Sequence, residues 1–588
     1  MSGVDFTGVS DEYSVPFFNS VNKAEHRIFK LSYKLKNELT ELSHERMIAV
    51  AATAFGIVWQ RYCFKKDVMF SLEKNGQKRS IRFSTKGNEK ISSIFDGMNV
   101  FLNAAVENQE SKENASELAV LHVGDKTVME DSTAIELFFD PVNVDSVEIY
   151  SRLDFDMNVL MSCISAAMTL LCENADISIS DITFADNELE AVYNKINDIS
   201  GSITGDVVTA FSEAAAKYPD SPALINAERS MSYSELDALS NAYAFKLSKF
   251  GVKKGDIVAV ISARSHELFI ALIGILKLGA AYMPIDPDYP DERINSIISN
   301  SGAGYIVNTS ARQYDNSGLV DIPVDIDELE NTERPEHFNS VSPDDKAYVM
   351  YTSGTSGEPK GAVIRHKSIV RLVKDTNYIS FSADSRLLQT SSVVFDASTL
   401  EIWGPLLNGG TVFMTEKNNI LDPVSLKKII SANKINVLFL STSLFTMLAE
   451  SDPEIFCGLE YLVAGGDVMP YKQSMSVLDK CPGLKLVNGY GPTENTTFST
   501  CYTVEKDCEE PIPIGYPITG STAYILDCYG NLQAPGMKGE LCVGGLGVAE
   551  GYLNNKELTE KKFFIFRNHD RLYRTGDSAV MDNKGVFR

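Results

Sequence analysis

Residues 346–366 read KAYVMYTSGTSGEPKGAVIRH, and the rest of the chain is organised around them. Tyr348, Val349, Met350 and Tyr351 are apolar and aromatic enough for a short buried strand. That strand runs into Thr352-Ser353-Gly354-Thr355-Ser356-Gly357. Such a loop suits a polyphosphate: glycines let backbone N–H groups approach, hydroxyls donate further bonds, and Lys360 adds a positive charge at the far end. It is not a P-loop, which needs Gly-Lys-Ser/Thr after four spacers, whereas Pro359 precedes Lys360 here and Gly361 follows it. A flexible Ser/Gly linker is the plain alternative, but the strand before the loop and the Pro-Lys-Gly after it do not belong to a linker.

At 588 residues the chain is too long for one core, so two to four structural units are expected, and 44% hydrophobic residues give each an interior. The formal net charge of -25 argues against a broad nucleic-acid or anionic-membrane surface, and neither partner is expected. Phosphate chemistry must then rest on loops, a few lysines and a metal ion. Nine cysteines are scattered without any C-x-x-C pair, which reads as reduced thiols in a cytoplasmic protein. The acidic start MSGVDFTGVSDEYS lacks the apolar core of an export signal. Apolar runs at 47–59 and 159–172 are too short to span a bilayer, and Lys277 interrupts the run at 269–285.

Residues 1–196 read as a mixed α/β unit. Ile48, Ala51, Ala52, Phe55, Trp59 and Tyr62 fall on one side of a helix over 43–62. Further helices are expected at 156–172 and at 187–197, the latter behind Asp186 as a cap, with strands at 68–72 and 118–123. His26, His44 and His122 are isolated in sequence, the usual pattern of surface or satisfied core histidines rather than bases. The order of elements, closing on Ser180-Asp181-Ile182-Thr183 and Glu188-Leu189-Glu190, resembles the C-terminal half of a condensation domain of a non-ribosomal peptide synthetase. The His-His-x-x-x-Asp-Gly motif of active members is missing, so a remnant without condensation activity is expected.

Gly, Ser and Asp dominate the boundary at 197–206. From 207 to about 526 helices and strands alternate: an amphipathic helix from Val207, a capping box at Ser232-x-x-Glu235, strands at 257–261 and 280–285, and a helix at 267–277 between them. That alternation predicts an α/β fold of helix-covered, largely parallel sheets, with short strands such as 539–543 forming a smaller β-rich layer.

Six stretches within 207–588 then become specific together: LKLGAAYMP from Leu276, the 351–360 loop, FDAS from Phe395, NGYGPTE from Asn488, GEL from Gly539 and YRTGD from Tyr573. Their order resembles amino-acid adenylation domains, members of the adenylate-forming superfamily that also holds acyl-CoA synthetases and luciferases. The resemblance implies attack of a carboxylate on the α-phosphate of ATP with loss of pyrophosphate. Two anions must be held together for this step, commonly with Mg²⁺ between them. Thr352, Lys360 and Glu494 are then the expected catalytic residues, with Glu494 the metal ligand. Ser353, Gly354, Thr355, Ser356 and Gly357 would hold phosphate, and Asn488, Tyr490, Gly491, Thr493 and Asp577 the nucleoside. Tyr490 would stack on adenine, and Asp577 would accept from the ribose hydroxyls.

An α-ammonium brought into a desolvated pocket needs a fixed negative partner, so Asp396 points to an amino acid rather than an aryl or fatty acid. Matching the family's pattern places Ala397, Leu400, Phe439, Val463, Gly465, Gly489, Thr497 and Phe498 around the substrate side chain. None is charged, which implies an aliphatic amino acid, valine first and isoleucine next. Two glycines are expected to leave room while the phenylalanines limit depth. The sequence stops near the family's hinge, so its small C-terminal subdomain is expected to be absent, and the acyl group would pass to phosphopantetheine on a carrier domain outside this chain. A small accessory protein is a further partner that the family implies. A carboxylic-acid:CoA ligase and a non-catalytic binding or scaffold module are the rival readings.

Overall fold

Ser232 and Glu235 close the expected capping box at the start of helix Tyr233–Lys249, and the Ser43 hydroxyl caps helix His44–Cys63 in a similar way. The computed structural model describes residues 25–74, 77–103, 119–124, 135–142, 144–151, 157–173, 176–184, 187–198, 205–310, 312, 318–332, 341–353, 359–567 and 570–588. Asp186, Leu118, most of the 197–206 boundary, and Gly354, Thr355, Ser356 and Gly357 lie outside the described residues. The chain divides into two units. The first comprises Met1–Tyr193, Tyr524–Leu541 and Gly576–Gly585, and the second Asn194–Ala523, Cys542–Thr575 and Val586–Arg588.

The first unit holds a mixed sheet of β1 (Glu25–Lys30), β2 (Asp67–Lys74), β3 (Gln77–Ser84), β4 (Ala119–Val123), β5 (Ile135–Phe139) and β6 (Ser146–Ser151), in the order β1-β6-β5-β4-β2-β3. Helices His44–Cys63 and Met157–Cys172 supply much of its core, which also takes in Ala534 and Met537. Arg61 is fully buried there, donating to the Asp527 carboxylate and to the Ile179 and Ile182 carbonyls, with its guanidinium 4.2 Å from the Tyr529 ring centre. His122 is buried between Glu73 and Glu136, at 3.3 and 3.0 Å, a satisfied core histidine as its isolation in sequence suggests.

The second unit is built on two parallel-rich sheets, as the alternating sequence predicts. Its strands are β7 (Pro222–Ile225), β8 (Ser230–Ser232), β9 (Ile257–Ile261), β10 (Ala281–Ile285), β11 (Tyr305–Asn308), β12 (Val320–Asp321), β13 (Lys346–Ser353), β14 (Pro359–Arg365), β15 (Arg386–Leu388), β16 (Thr411–Phe413), β17 (Val437–Ser441), β18 (Tyr461–Gly465), β19 (Lys485–Tyr490), β20 (Thr500–Thr503) and β21 (Tyr516–Pro517). One sheet runs β12-β11-β9-β10-β13-β14 and the other β21-β20-β19-β18-β17-β15-β16-β7-β8. Short strands near the C-terminus, such as Phe563–Phe566 paired antiparallel with Asp570 to Tyr573, supply the β-rich part.

The opening stretch is therefore more than a strand and a loop. β13 and β14 form an antiparallel pair in which Thr352 faces Lys360, so Lys360 stands on a strand. The cysteine reading also needs correction. Cys457, after the turn Pro453–Phe456, and Cys481, at the end of helix Tyr471–Lys480, are disulfide-bonded across a separation of 24 residues, and the other seven form no disulfide. Spacing without C-x-x-C could not reveal a pair that only the packing of two distant segments creates. Among the described residues no helix is long and apolar enough to cross a membrane.

Candidate active site

Parallel strands leave their C-terminal ends at one edge, and most of the pocket residues expected from the sequence gather at that edge of the second unit. A cavity of about 1380 Å³ opens there. Asp396, Ala397, Phe439, Gly465, Gly489, Gly491, Thr497 and Phe498 all line it. Leu400 and Val463 are fully buried and are not among its lining residues.

Asp396 stands at the N-cap of helix Ala397–Leu406 but makes no capping hydrogen bond with its side chain. Instead the Thr493 hydroxyl donates to its carboxylate at 2.7 Å, and the Thr497 hydroxyl donates to its backbone carbonyl at 2.7 Å. Burial raises the Asp396 carboxyl above the ordinary range; the Thr493 bond partly offsets the rise, and the charge of Glu494 adds to it. A cation docked against this group would reverse the shift. The two pocket glycines have a different cause from the one expected. A Cβ at Gly489 would meet the Phe498 ring at 2.5 Å, and one at Gly465 would meet the Gly489 carbonyl at 2.4 Å. The space they leave admits the Phe498 ring and the neighbouring strand rather than a ligand.

On the loop side, Lys360 Nζ donates to Glu494 at 2.7 Å and to the Tyr552 hydroxyl at 2.9 Å, and Tyr552 in turn donates to Glu494 at 2.5 Å. Burial alone would raise the Glu494 carboxyl, but the charge and hydrogen bond of Lys360, with the bond from Tyr552, hold it below the usual range. Burial and the adjoining Glu494 push the Tyr552 phenol up, so it remains a donor. Tyr552 reaches this place because the chain around it runs beside β14: Ala362 bridges to Tyr552, and Leu553 N–H donates to the Gly361 carbonyl. Sequence reasoning missed Tyr552. Its only local signal is a tyrosine behind two glycines in GVAEGY, and the pairing that makes it matter spans about 190 residues of chain.

The remaining expected residues are placed less uniformly. Thr352 Oγ1 is buried with no hydrogen-bond partner among the described residues, an unspent donor beside Lys360. Ser353 ends β13. The Asn488 side chain is committed to the Pro513 carbonyl at 2.8 Å and Tyr490 is half-buried at the end of β19. Asp577 is exposed, lies in the Gly576–Gly585 segment of the first unit, and does not line the cavity. Among the described residues no three His, Cys, Asp or Glu groups could together hold a metal. A single ionised carboxylate such as Glu494 suits Mg²⁺, which keeps waters and takes its other ligands from phosphate.

Sequence reasoning also missed Glu401. It is fully buried and accepts from the Thr390 N–H at 3.0 Å and hydroxyl at 2.8 Å and from the Ser391 N–H at 3.0 Å. Burial pushes its carboxyl up to about 7 despite those bonds and the nearby Arg264. Glu401 thereby ties the helix carrying Asp396 to the loop after β15.

The second unit thus combines a strand-end cavity that Asp396 lines with a part-buried Lys360–Glu494 pair on the β13–β14 side. Residues 211–553 match the AMP-binding enzymes, and the chain belongs to that family. The match takes in five of the six motifs, all but YRTGD, and with the relatives below it bears out the adenylation-domain resemblance. Gramicidin S synthase 2 from Brevibacillus brevis is 40% identical over 404 residues, which are 68% of this chain and 9% of that protein. The chain thus spans under a tenth of that relative's length. Holo-PA1221, an NRPS protein containing adenylation and PCP domains, matches with a TM-score of 0.61 at 33% identity over 67% of this chain and 69% of its own. The nonribosomal peptide synthetase FmoA3 matches at a TM-score of 0.82 over 96% of this chain and 68% of its own; at 22% identity this shows the fold alone.

Proposed function

We propose that the chain activates an aliphatic amino acid with ATP as an aminoacyl-AMP, valine first and isoleucine next, for transfer to phosphopantetheine on a carrier domain. The observation that carries this reading is Asp396: a carboxylate held by Thr493 on the wall of a cavity whose matched side-chain positions hold no other charge. An α-ammonium is the cation that such a group would hold. Its carboxylate would then face the Lys360–Glu494 edge, where the ATP phosphates are proposed to lie. Mg²⁺, ligated by Glu494, would neutralise charge on the phosphates when bound. Lys360 would hold phosphate oxygens and Thr352 would donate to them. The uncharged wall of Ala397, Phe439 and Phe498 would exclude water from the substrate side chain. Close aliphatics differ by about 1–3 kcal/mol per methylene in such a pocket, so a graded preference is expected.

Within the same reading, residues 1–196 are a condensation-domain-like fragment, and the missing His-His-x-x-x-Asp-Gly motif supports its having no condensation activity. The cytoplasm is the proposed compartment, supported by the seven cysteines that form no disulfide; the Cys457–Cys481 bond counts against it. The test is ATP–pyrophosphate exchange across all twenty amino acids with the full-length protein that contains this chain. Exchange led by valine supports the reading. Exchange driven by fatty or aryl acids and by no amino acid replaces it with a CoA-ligase activity.

A further inference from the structure

Arg371, on helix His366–Val373, is buried and is not one of the motif residues. Its guanidinium donates to four acceptors: the carbonyls of Asn495 at 2.6 Å, Thr496 at 3.1 Å and Phe498 at 2.6 Å, and the Ser521 hydroxyl at 2.9 Å. Three of the four are consecutive or near-consecutive carbonyls of one turn. That turn is strained, because Thr496 and Thr497 have φ of 54° and 66°, a left-handed conformation that β-branched residues avoid. Such geometry persists only where its surroundings over-determine it.

The same turn builds one wall of the cavity. It sends the Thr497 hydroxyl to the Asp396 carbonyl and lays the Phe498 ring over Gly489, 6.1 Å from Phe439. The surroundings of Arg371 are shaped for the guanidinium: a Cβ on Gly547 would lie 1.9 Å from Nη2, while the Gly547 carbonyl accepts from the Thr496 hydroxyl at 2.8 Å. A planar fork can reach several carbonyls at once, which an ammonium on a flexible stem cannot.

We propose that Arg371 is a specificity-determining positioning residue: by pinning the carbonyls of the 495–498 turn, it fixes Phe498 and Thr497 and so decides which side chains the cavity accepts. This rests on the amino-acid reading above. It acts through the turn and touches no substrate.

The experiment compares the full-length protein with Arg371→Lys and Gly547→Ala, the second displacing the guanidinium without altering it. Calorimetry against all twenty amino acids and against ATP gives the affinities, and hydrogen exchange without ligand reports on residues 495–498. Both variants are expected to weaken the best amino acid by about tenfold or more and to shrink its margin over a one-methylene neighbour to about threefold or less, with ATP affinity within about twofold. Exchange should rise in the 495–498 turn and not elsewhere. Unchanged amino-acid affinity and margin would overturn the proposal, as would equal weakening of ATP and amino acid together with faster exchange throughout, the mark of general unfolding. If the unaltered protein binds none of the twenty, the amino-acid reading fails by itself, and unaltered exchange in the turn would still remove Arg371 as its clamp.

Discussion

Glu494 and Asp396 stand on either side of Thr493, one beside it in sequence and one hydrogen-bonded to it, and their surroundings push them in opposite directions. Both lose water, which raises a carboxyl. At Glu494 that rise is outweighed by Lys360 and Tyr552, so the group is ionised and already has a cation of the protein's own. At Asp396 the only side-chain donor among the described residues is a neutral hydroxyl, and the rise stands. Burial alone therefore does not settle what a carboxylate does. A group held low suits ligation of a hard cation, whereas a group held high gains most from a cation that arrives with the substrate.

Removing the second kind of carboxylate should have the largest effect. Asp396→Ala takes away one partner of a desolvated charge pair, a change of about 2–5 kcal/mol, so the amino-acid KM in exchange should rise about 100-fold or more. The ATP KM should hardly move. An unchanged amino-acid KM would break the contrast, because Asp396 would then be no more than a helix-start carboxylate.

The first kind should show itself in stability. Lys360→Met strands Glu494, and a urea midpoint should report a loss of about 3 kcal/mol, since Lys360 is only partly exposed. Adding Glu494→Gln should restore most of it. In the unaltered protein the sign follows from the depressed Glu494 carboxyl: the contribution is present above the ordinary glutamate range and fades as pH falls through the folded value. A double variant no better than the single would show that Lys360 acts elsewhere.

Glu401 sharpens the comparison as a third case, buried with N–H and O–H donors and its carboxyl pushed up to about 7 by burial. A carboxyl raised in the fold contributes stability below its unfolded value near 4.5, and this is lost as pH rises through about 7. Thermal unfolding should therefore show the unaltered protein losing about 2 kcal/mol relative to Glu401→Gln between pH 5 and 8. Parallel pH profiles would place Glu401 with Glu494, ionised throughout.

The chemistry of these groups was largely legible in sequence, and their supports were not. Asp396, Glu494 and Lys360 sit in short motifs whose residue types state what they can bind. Helix starts such as Ser232 were legible for the same reason, since a cap and its partner are three residues apart. The alternation of strands and helices foretold parallel-rich sheets because it is a repeating local pattern. By contrast, Tyr552 meets Lys360 only because a distant segment runs beside β14, and Arg371 meets the 495–498 turn across more than a hundred residues. Cys457 and Cys481 are partners through the packing of a turn and a helix end. Residues 524–541 join the core of the first unit through Ala534, Met537 and the Arg61–Asp527 contact, none of which leaves a periodic trace. Gly489 and Gly465 were legible as glycines but not as the seats of a ring and a carbonyl.

Tyr552 supplies the smallest and most discriminating test of the contrast. Its hydroxyl accepts from Lys360 and donates to Glu494, so it holds the ion pair without carrying charge. Tyr552→Phe keeps the ring, which lies 4.8 Å from Lys360 Nζ, and deletes those two bonds together with a contact of 3.2 Å to the Tyr573 hydroxyl. One hydrogen bond to a charged group contributes about 1.5–3 kcal/mol at most, and direct contact between Lys360 and Glu494 survives, so a net loss of about 1 kcal/mol is expected. If the pair serves phosphate and Mg²⁺, that loss should appear as a rise of about fivefold in the ATP KM, with the amino-acid KM unchanged. A rise in the amino-acid KM instead would mean that the two carboxylates are coupled through Thr493 and do not divide the work between metal and ammonium.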